Sequence, residues 1–404
     1  MRDLSCGDTR VYLEFEVRRI LCRCCGKVKR ERLDFLADNP FYTRRFAWHV
    51  GRRCRTSTIK DVAEQANVST ATVGRVLNGR GYVSEEARER VETAISQLGY
   101  RKNVLAMGLR KQHTQTIGHL LTSIALNPFF SGVSLGVERQ AMEYGYSVLI
   151  YNVQGDATQE QRGVETFIER RVDGILFTTP IREENVRLAL DAGIPVVQVE
   201  RPTRVQTARV LVDNYSGAYQ AMEHLLQLGH RKIAYVGGHP RRRTGREHAV
   251  EAQRLAGYQD ALMAHNISLD EGLVVLTDYF SLDEFDHMHE GYLAVNTLLK
   301  GQPGLSALFV GSDLLVSGVM QGLYECGQRV PEDISVVSFD DTYSPYLSPP
   351  ITAVQQPMME IGRAAAALLL TELGDMEGNQ EHETVLKPTL VLRKSTAVPS
   401  KTSI

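Results

Sequence analysis

The sequence predicts an α/β protein in two parts: a small all-α head built on a helix-turn-helix, then a two-lobed body of doubly wound parallel sheets. Three observations predict it. Apolar residues recur at helical spacing between Thr58 and Gly99, and from Gln115 onward they give way to short β-rich runs separated by helical stretches. Those runs are too numerous for one compact sheet. Charge is also divided along the chain: residues 1–57 carry 14 Lys+Arg against 7 Asp+Glu, residues 58–112 carry 9 against 6, and the remainder carries 23 against 35. A basic head on an acidic body is what a DNA binder with a separate sensing domain shows, because only the head gains from releasing phosphate counterions. The 404 residues are enough for two or three domains and a sizeable core.

In the head, Thr58 precedes Ile59, Val62, Ala63 and Ala66, so a first helix starts on a Thr cap and buries one stripe. Asn67 stops it, since Asn tolerates the left-handed backbone of a tight turn. Ser69 caps a second helix running to Asn78, with Val73, Val76 and Leu77 inward. Thr70, Ala71, Gly74 and Arg75 then face outward. That surface is small and flat apart from Arg75, which suits a helix lying in a major groove, where short side chains touch base edges and Arg takes a guanine or a phosphate. A helical hairpin with a solvated outer face is the other reading of the same residues. Ser84 caps a third helix, with Ala87, Val91, Ala94, Ile95 and Leu98 inward and Gly99 as its stop. Three short helices bury little surface, so such a head is only marginally stable alone.

The stretches TIKDVAEQANVSTATVGRVLNG and VSEEARERVETAISQLGY resemble the head of the lactose/galactose repressor family (LacI/GalR). The resemblance implies a DNA-contacting set of Thr58, Ser69, Thr70, Ala71, Thr72, Arg75 and Asn78 in the head, with Leu109 and Arg110 in a hinge helix over residues 103–112. Asn103 would cap that hinge, and Leu109 sits where the family inserts a leucine into the minor groove, an apolar wedge that unstacks a base step and kinks the duplex. Two residues depart from the pattern. Gly74 stands where a serine is usual, removing a polar contact, and Gly108 lies inside the hinge helix, where glycine costs about 1 kcal/mol relative to alanine and favours a hinge that folds only on DNA.

Residues 1–57 do not share the resemblance, and they hold Cys6, Cys22, Cys24, Cys25 and Cys54 together with Trp48. A thiolate metal site usually needs paired cysteines with a two-residue gap between them, which the CRCC run with its adjacent Cys24 and Cys25 fits poorly, so neither a metal nor a cofactor is expected. The stretch is expected to be a poorly ordered basic extension or sequence ahead of the true start.

The body runs over residues 113–396, with a short tail at 397–404. Its β-rich runs are 117–121, 147–151, 174–178, 195–199, 208–212, 232–236, 272–276, 307–310 and 334–339, with helical stretches filling the gaps. Strands alternating with helices imply parallel sheets whose ligands bind beyond the carboxyl ends of the strands. The family resemblance continues through NPFFSGVSLGVERQAMEYGY, VDGIL, DNYSGAYQAMEHLLQLGHRKIAYVGG, RLAGYQDAL, RVPEDISVVSFDD and PPITAVQQP, and so spans about 58–396. It implies a periplasmic-binding-protein-like body, with chain crossovers near Asn214, Gln355 and Lys387 and a cleft between the lobes.

The family's small-molecule contacts fall on Phe129, Phe130, Glu200, Arg254, Tyr279, Ser312 and Asp340. A carboxylate and a guanidinium give directed hydrogen bonds, and aromatic faces cover the apolar side of a sugar or base ring. Phe129 and Phe130 read equally as lobe core, and Arg254 and Asp340 have a structural ion pair as their alternative. Ser312 replaces the asparagine frequent before Asp313, and Glu200 stands where many relatives have an Asp-Arg pair. SLDEFDHMHEG is longer and more acidic than the usual link, which could displace Tyr279, and PRRRTGR at 240–246 reads as a solvated basic loop more readily than as a phosphate site.

No GK[ST] phosphate loop and no H-E-x-x-H occurs, no nucleophile elbow is expected, and His287 and His289 read as an incidental polar loop. No apolar run approaches the roughly 18 residues of a membrane span, and the first residues lack a secretory pattern, so a cytoplasmic protein is expected. The expectation is therefore a non-enzymatic, DNA-binding transcriptional regulator of repressor type, a homodimer on a near-palindromic operator, controlled by a sugar or sugar derivative in the cleft. A sugar-binding transport component with the same two-lobed body is the alternative, against which the absent leader and the helix-turn-helix both count. The tail has no apolar heptads, so no tetramerising helix is expected.

Overall fold

The computed structural model describes residues 57–78, 81–100, 113–123, 127–240, 250–277, 286–377 and 382–400, and four short strands ahead of them. Those strands form two antiparallel ladders, β1 (Arg2–Cys6) with β2 (Thr9–Tyr12) and β3 (Arg19–Leu21) with β4 (Val28–Arg30). Backbone pairing there was no part of the expected extension. The chain divides into two compact units, Met1–Val104 and Leu105–Ile404.

The first unit contains the three helices of the head, α1 (Ile59–Ala66), α2 (Thr70–Asn78) and α3 (Glu85–Leu98). Each boundary has a local cause. Thr58 accepts from the Asp61 amide while Asp61 accepts from the Thr58 amide at 2.7 Å, a reciprocal cap that satisfies two otherwise unpaired donors. Asn67 ends α1 in the left-handed region at φ 52°, and Gly99 ends α3 at φ 57°. Ser69 Oγ accepts from the Thr72 amide at 3.1 Å, and Ser84 caps α3 through the Ala87 amide. Val62, Val73 and Val91 meet as a fully buried centre, with Ala63, Ala66 and Ala94 letting the helices approach.

The second unit is two six-stranded sheets, each with helices on both faces. The first has the order β15–β9–β8–β7–β5–β6, all parallel: β5 (Thr116–Leu121), β6 (Ser147–Asn152), β7 (Gly174–Thr178), β8 (Val196–Val199), β9 (Ala208–Val212) and β15 (Glu383–Leu386). Around it lie α4 (Pro128–Glu143), α5 (Ala157–Glu169), α6 (Glu183–Asp191) and α11 (Met358–Glu372). The second has the order β11–β10–β12–β13–β14–β16: β10 (Ile233–Gly238), β11 (Val274–Thr277), β12 (Ala307–Val310), β13 (Ser335–Phe339), β14 (Thr352–Gln355) and β16 (Thr389–Val391). Only its β14–β16 pair is antiparallel. Its helices are α7 (Asn214–Gln227), α8 (Val250–Ala264), α9 (Asp286–Gly301) and α10 (Asp313–Glu325).

The period of two along each strand divides each lobe's core into two layers. Ile117 and Leu176 join the cluster under α4 and α11, whereas their neighbours Leu120, Ile175 and Phe177 join the opposite one. In the second lobe Ala234 and Leu308 face one layer while Tyr235 and Phe309 face the other. The chain passes between lobes after β9, after β14 and between β15 and β16, at the three places the family resemblance implies. The nine strands expected from sequence are present within one or two residues; β14, β15 and β16 were not foreseen.

Helices α4 and α11 touch backbone to backbone. A Cβ on Gly136 would lie 2.2 Å from the Met359 carbonyl oxygen, and one on Gly362 would lie 2.0 Å from the Val133 oxygen. Neither oxygen belongs to a side chain that can rotate away, so Gly136→Val is expected to destabilise the body by about 3 kcal/mol or more. Around Gly74 on α2 nothing lies within 4 Å of an added Cβ, and Gly74→Ala is expected to stabilise the head by up to about 1 kcal/mol. Denaturant titration followed by separate probes of head and body checks both.

Candidate functional site

The outer face of α2 carries exposed Thr70, Ala71 and Arg75, as expected from its stripe pattern. Ser69 and Thr72 are already engaged, their hydroxyl oxygens 2.9 Å apart and Ser69 holding the helix start. Thr58 likewise serves the cap of α1, so these hydroxyls fix the two helices before they meet any partner. Gly74 leaves a flat gap beside Arg75. Asn78 ends α2 with its side chain outside the described residues, and Leu109, Arg110 and Tyr279 also lie outside them.

In the second unit, strand ends and helix starts from both lobes surround a partly open cavity lined by Asn127, Phe129, Phe130, Glu200, Arg201, Arg254, Ser312, Asp340 and Gln356. Six of the seven residues expected at the cleft are therefore brought together. Phe129 and Phe130 start α4, meet edge to face with centroids 5.5 Å apart, and belong to the core of the first lobe as well as to the cavity lining.

Arg254, on α8, is buried and reaches across its lobe. Its Nε donates to Asn214 Oδ1 at 2.9 Å, its Nη1 donates to the Gly311 carbonyl at 2.7 Å, and its guanidinium lies 3.7 Å from the centre of the Phe339 ring. Asp340 Oδ2 stands 3.7 Å from the same Nη1. Asp340 follows β13 in left-handed backbone at φ 72°, which swings its carboxylate off the strand line, and its Oδ1 accepts from Gln356 Nε2. On the opposite wall Glu200, also left-handed at φ 66°, accepts from Thr179 Oγ1 at 2.8 Å and lies 3.7 Å from Arg201 Nε. Burial pushes the Glu200 carboxyl above its ordinary range, against the pull of Arg201 and Arg254. Arg201 donates to Glu251 Oε2 at 2.6 Å; burial would raise Glu251, but that pairing holds it below its usual value.

Ser312 caps α10 through the Leu314 amide at 3.4 Å, and Asn127 Oδ1 caps α4 through the Phe129 amide at 2.9 Å. The neighbouring Asp313 does not enter the cavity. It accepts from the Thr342 amide at 2.7 Å, from the Thr342 hydroxyl at 2.6 Å and from Ser344 Oγ at 2.7 Å, pinning the loop after Asp340; burial pushes it up to about 6. Asp341 is fixed by Arg393 at 2.6 and 2.8 Å. The two acids closing ISVVSFDD therefore split, Asp340 towards the cleft and Asp341 towards the following strand.

Sequence reasoning missed Arg201, Asn127 and Gln356 in the lining and Asn214 and Glu251 behind it. It also passed over a G-x-S-x-G spacing at Gly132–Gly136. That stretch lies inside α4 rather than at a strand-to-helix turn, and its glycines serve close helix packing. Ser134 Oγ is 3.4 Å from His119 Nδ1, whose Nε2 is 2.8 Å from Thr178 Oγ1, but the group is buried and holds no carboxylate. Among the described residues no cluster of His, Cys, Asp and Glu could hold a metal ion, and no helix is long and apolar enough to cross a membrane.

Residues 58–103 match the bacterial regulatory proteins of the lacI family, residues 222–396 match a periplasmic binding protein-like domain, and residues 31–80 match the helix-turn-helix domain of transposase family ISL3. The ribose operon repressor of Haemophilus influenzae is 32% identical over 342 residues, covering 84% of this chain and 98% of the relative. The chain belongs to the LacI family.

The PurR repressor of Vibrio atlanticus is 33% identical over 343 residues, covering 84% of this chain and 98% of its own length. Among solved structures, the lac repressor dimer bound to operator and the anti-inducer ONPF superposes with a TM-score of 0.70 at 28% identity, over 85% of this chain and all of that one. The CelR–cellobiose complex superposes with a TM-score of 0.61 at 32% identity, over 84% of this chain and 99% of that one. As a LacI-family member, this chain is a DNA-binding transcriptional regulator, and the transport-component alternative falls away.

His119 supplies a pH test of this fold. Burial drops it from 6.5 to about 4, so the folded state holds it neutral. Its contribution to stability is present above the unfolded value and is lost as pH falls from about 6.5 to about 4, a loss of about 3 kcal/mol. His119→Gln is expected to flatten the acid limb of the body's stability profile, measured by urea titration at several pH values.

Proposed function

We propose that this LacI-family regulator is a cytoplasmic repressor that acts as a homodimer on a two-fold operator and changes its operator affinity when a sugar or sugar derivative occupies the interlobe cavity. The observation that carries the reading is the convergence of Phe129, Phe130, Glu200, Arg201, Arg254, Ser312 and Asp340 on one cavity, with contributions from both lobes. Two aromatic rings beside carboxylates and guanidinium groups suit a ring with an apolar face and hydroxyl edges. The relatives support the same class, since they include ribose operon repressors, a cellobiose complex of CelR and a LacI-family structure with bound ribose. Ligand polarity of action, induction or co-repression, follows from whichever lobe arrangement the ligand prefers.

On DNA, Thr70, Ala71 and Arg75 of α2 are assigned to the major groove, with Thr58, Ser69, Thr72 and Asn78 at the adjoining backbone and Leu109 and Arg110 at the operator centre. Arg75→Ala is expected to weaken operator binding while leaving the body's melting unchanged, and affinity for operator should fall by about 10³-fold between 50 and 200 mM salt if the dimer contacts about six phosphates. Fluorescence anisotropy across a salt series measures both. A flat salt response, or a melting shift without loss of binding, counts against the assignment.

Asp340→Asn tests the cavity. A hydrogen bond to a charged acceptor contributes about 1.5–3 kcal/mol, so removing the charge should weaken ligand binding by roughly ten- to a hundredfold. Calorimetry with the ligand identified by a sugar screen reads it. If the variant instead melts early and loses operator binding while its ligand affinity stands, Asp340 is a structural residue and the cavity is not the effector site.

A further inference from the structure

At the amino ends of the first lobe's strands, opposite the cavity, a second group of polar side chains is collected. β5, β6 and β7 run parallel, so the residues just ahead of them, Gln115, Tyr146 and Asp173, share one edge of the sheet, about 20 Å from the edge that faces the cavity. The Asp173 side chain is only 4% exposed. Its Oδ1 accepts from the Thr114 amide at 2.7 Å, its Oδ2 accepts from the Gln115 amide at 2.6 Å, and its own amide donates to the Thr116 carbonyl at 2.8 Å. Thr114 Oγ1 donates to the Arg171 carbonyl at 2.9 Å, and His113 Nδ1 stands 3.8 Å from Asp173 Oδ1. Gln115 sits in left-handed backbone at φ 52°, a state that persists in a residue with a Cβ only where neighbours fix it.

The place matters because of what precedes it. Residues 101–112 join the head to the body and lie outside the described residues, and His113 is the first described residue of the body. Water could satisfy the Thr114 and Gln115 amides one by one, but a single carboxylate gripping both also fixes the heading of the chain. The same edge is braced by the two first-lobe helices that reach the cavity. α4 starts beside Asn127 and ends ahead of Tyr146, whose hydroxyl donates to Asp375 Oδ2; α11 starts two residues after Gln356 and ends ahead of that Asp375. The Ser147 amide donates to the Gln115 carbonyl at 2.9 Å, and Leu369 of α11 packs so closely on the start of β7 that a Cβ on Gly174 would lie 2.8 Å from its Cδ1. The anchor at Asp173 is thereby tied to both helices.

We propose that Asp173 is a positioning residue for operator recognition: it anchors the body end of the linker from the DNA-binding head, and the Tyr146–Asp375 pair keeps that anchor in register with α4 and α11. Simultaneous engagement of two half-sites depends on where the linkers leave the bodies, whereas contact of one head with DNA does not. Releasing Thr114 and Gln115 lengthens and loosens the tether, which lowers the effective concentration of one head at its half-site once the other is bound. The inference rests on the two-headed reading above and needs no effector.

Fluorescence anisotropy on the full chain tests it, with the duplex that the wild-type chain enriches from a random-sequence pool, a duplex carrying only one half-site of it, and a scrambled duplex. Asp173→Ala should weaken the full operator by about tenfold and leave the half-site and scrambled duplexes unchanged, with Asp173→Asn, which keeps one acceptor, in between. Tyr146→Phe should weaken the full operator by about threefold. Thermal melting confirms that each variant is folded, and hydrogen exchange at the Thr114 and Gln115 amides confirms that the clamp is released. If Asp173→Ala does not fold, Asp173→Asn and Tyr146→Phe decide. Unchanged operator affinity in a folded variant whose Thr114 and Gln115 amides exchange faster overturns the proposal, as do equal losses on all three duplexes. If the wild-type chain itself gains nothing from the second half-site, the two-headed reading falls, and this proposal with it.

Discussion

A buried guanidinium must be paired on several sides, and Arg254 dictates much of the second lobe's arrangement because of it. Leaving such a charge without partners costs several kcal/mol, so the elements that supply its acceptors must all be in place at once. They come from Asn214 at the start of α7, the Gly311 carbonyl after β12 and Asp340 after β13, while the Phe339 ring covers one face of the cation. The segments that follow three strands are thereby brought to one point. That point is a wall of the cavity, so the interaction that organises the lobe also sets the charged part of the cavity lining.

The left-handed residues follow from the same demand. Glu200 and Asp340 each end a buried strand and each turn their carboxylate aside at positive φ, a conformation unusual for non-glycine residues. Such strain persists only where neighbours over-determine it. Thr179 and Arg201 hold Glu200, while Gln356 and Arg254 hold Asp340. Beneath them, the close approach of α4 and α11 ties the helix that starts at the cavity to the helix that follows the Gln356 crossing. The pocket is therefore placed by backbone packing and trimmed by polar pairing.

What could be read from the sequence divides along physical lines. The buried strands were legible because Val, Ile and Leu runs such as SVVSF have no other economical reading between helical stretches, and the caps at Thr58, Asn67 and Gly99 were legible because local geometry demands those residue types. The strands β14, β15 and β16 escaped, being three or four residues long, with β15 and β16 at sheet edges that alternate or expose their side chains. Arg254, Glu200 and Asp340 were found through the family resemblance rather than through any spacing. Gln356, Asn214 and Asn127 were missed because an amide carries no periodic signature; its role depends on which carboxylate, guanidinium or helix start the fold sets beside it. Phe129 and Phe130 show the converse limit, since one side chain serves as lobe core and cavity wall together.

A ligand can shift a two-state protein only by as much as it prefers one state, so the distribution of its contacts decides whether binding has any consequence. Here the lining of the cavity is divided. Phe129, Phe130, Glu200 and Arg201 belong to the first lobe, Arg254, Ser312 and Asp340 to the second, and Gln356 to a strand of chain passing between them. A molecule bonded to one wall alone would bind without favouring any spacing of the lobes. One that engages both walls loses hydrogen bonds whenever the lobes part, and with charge-assisted bonds contributing about 1.5–3 kcal/mol each, two such losses exceed the coupling typical of allosteric proteins. In the proposed function, the separation of acceptors across the cavity supplies the physical means of regulation.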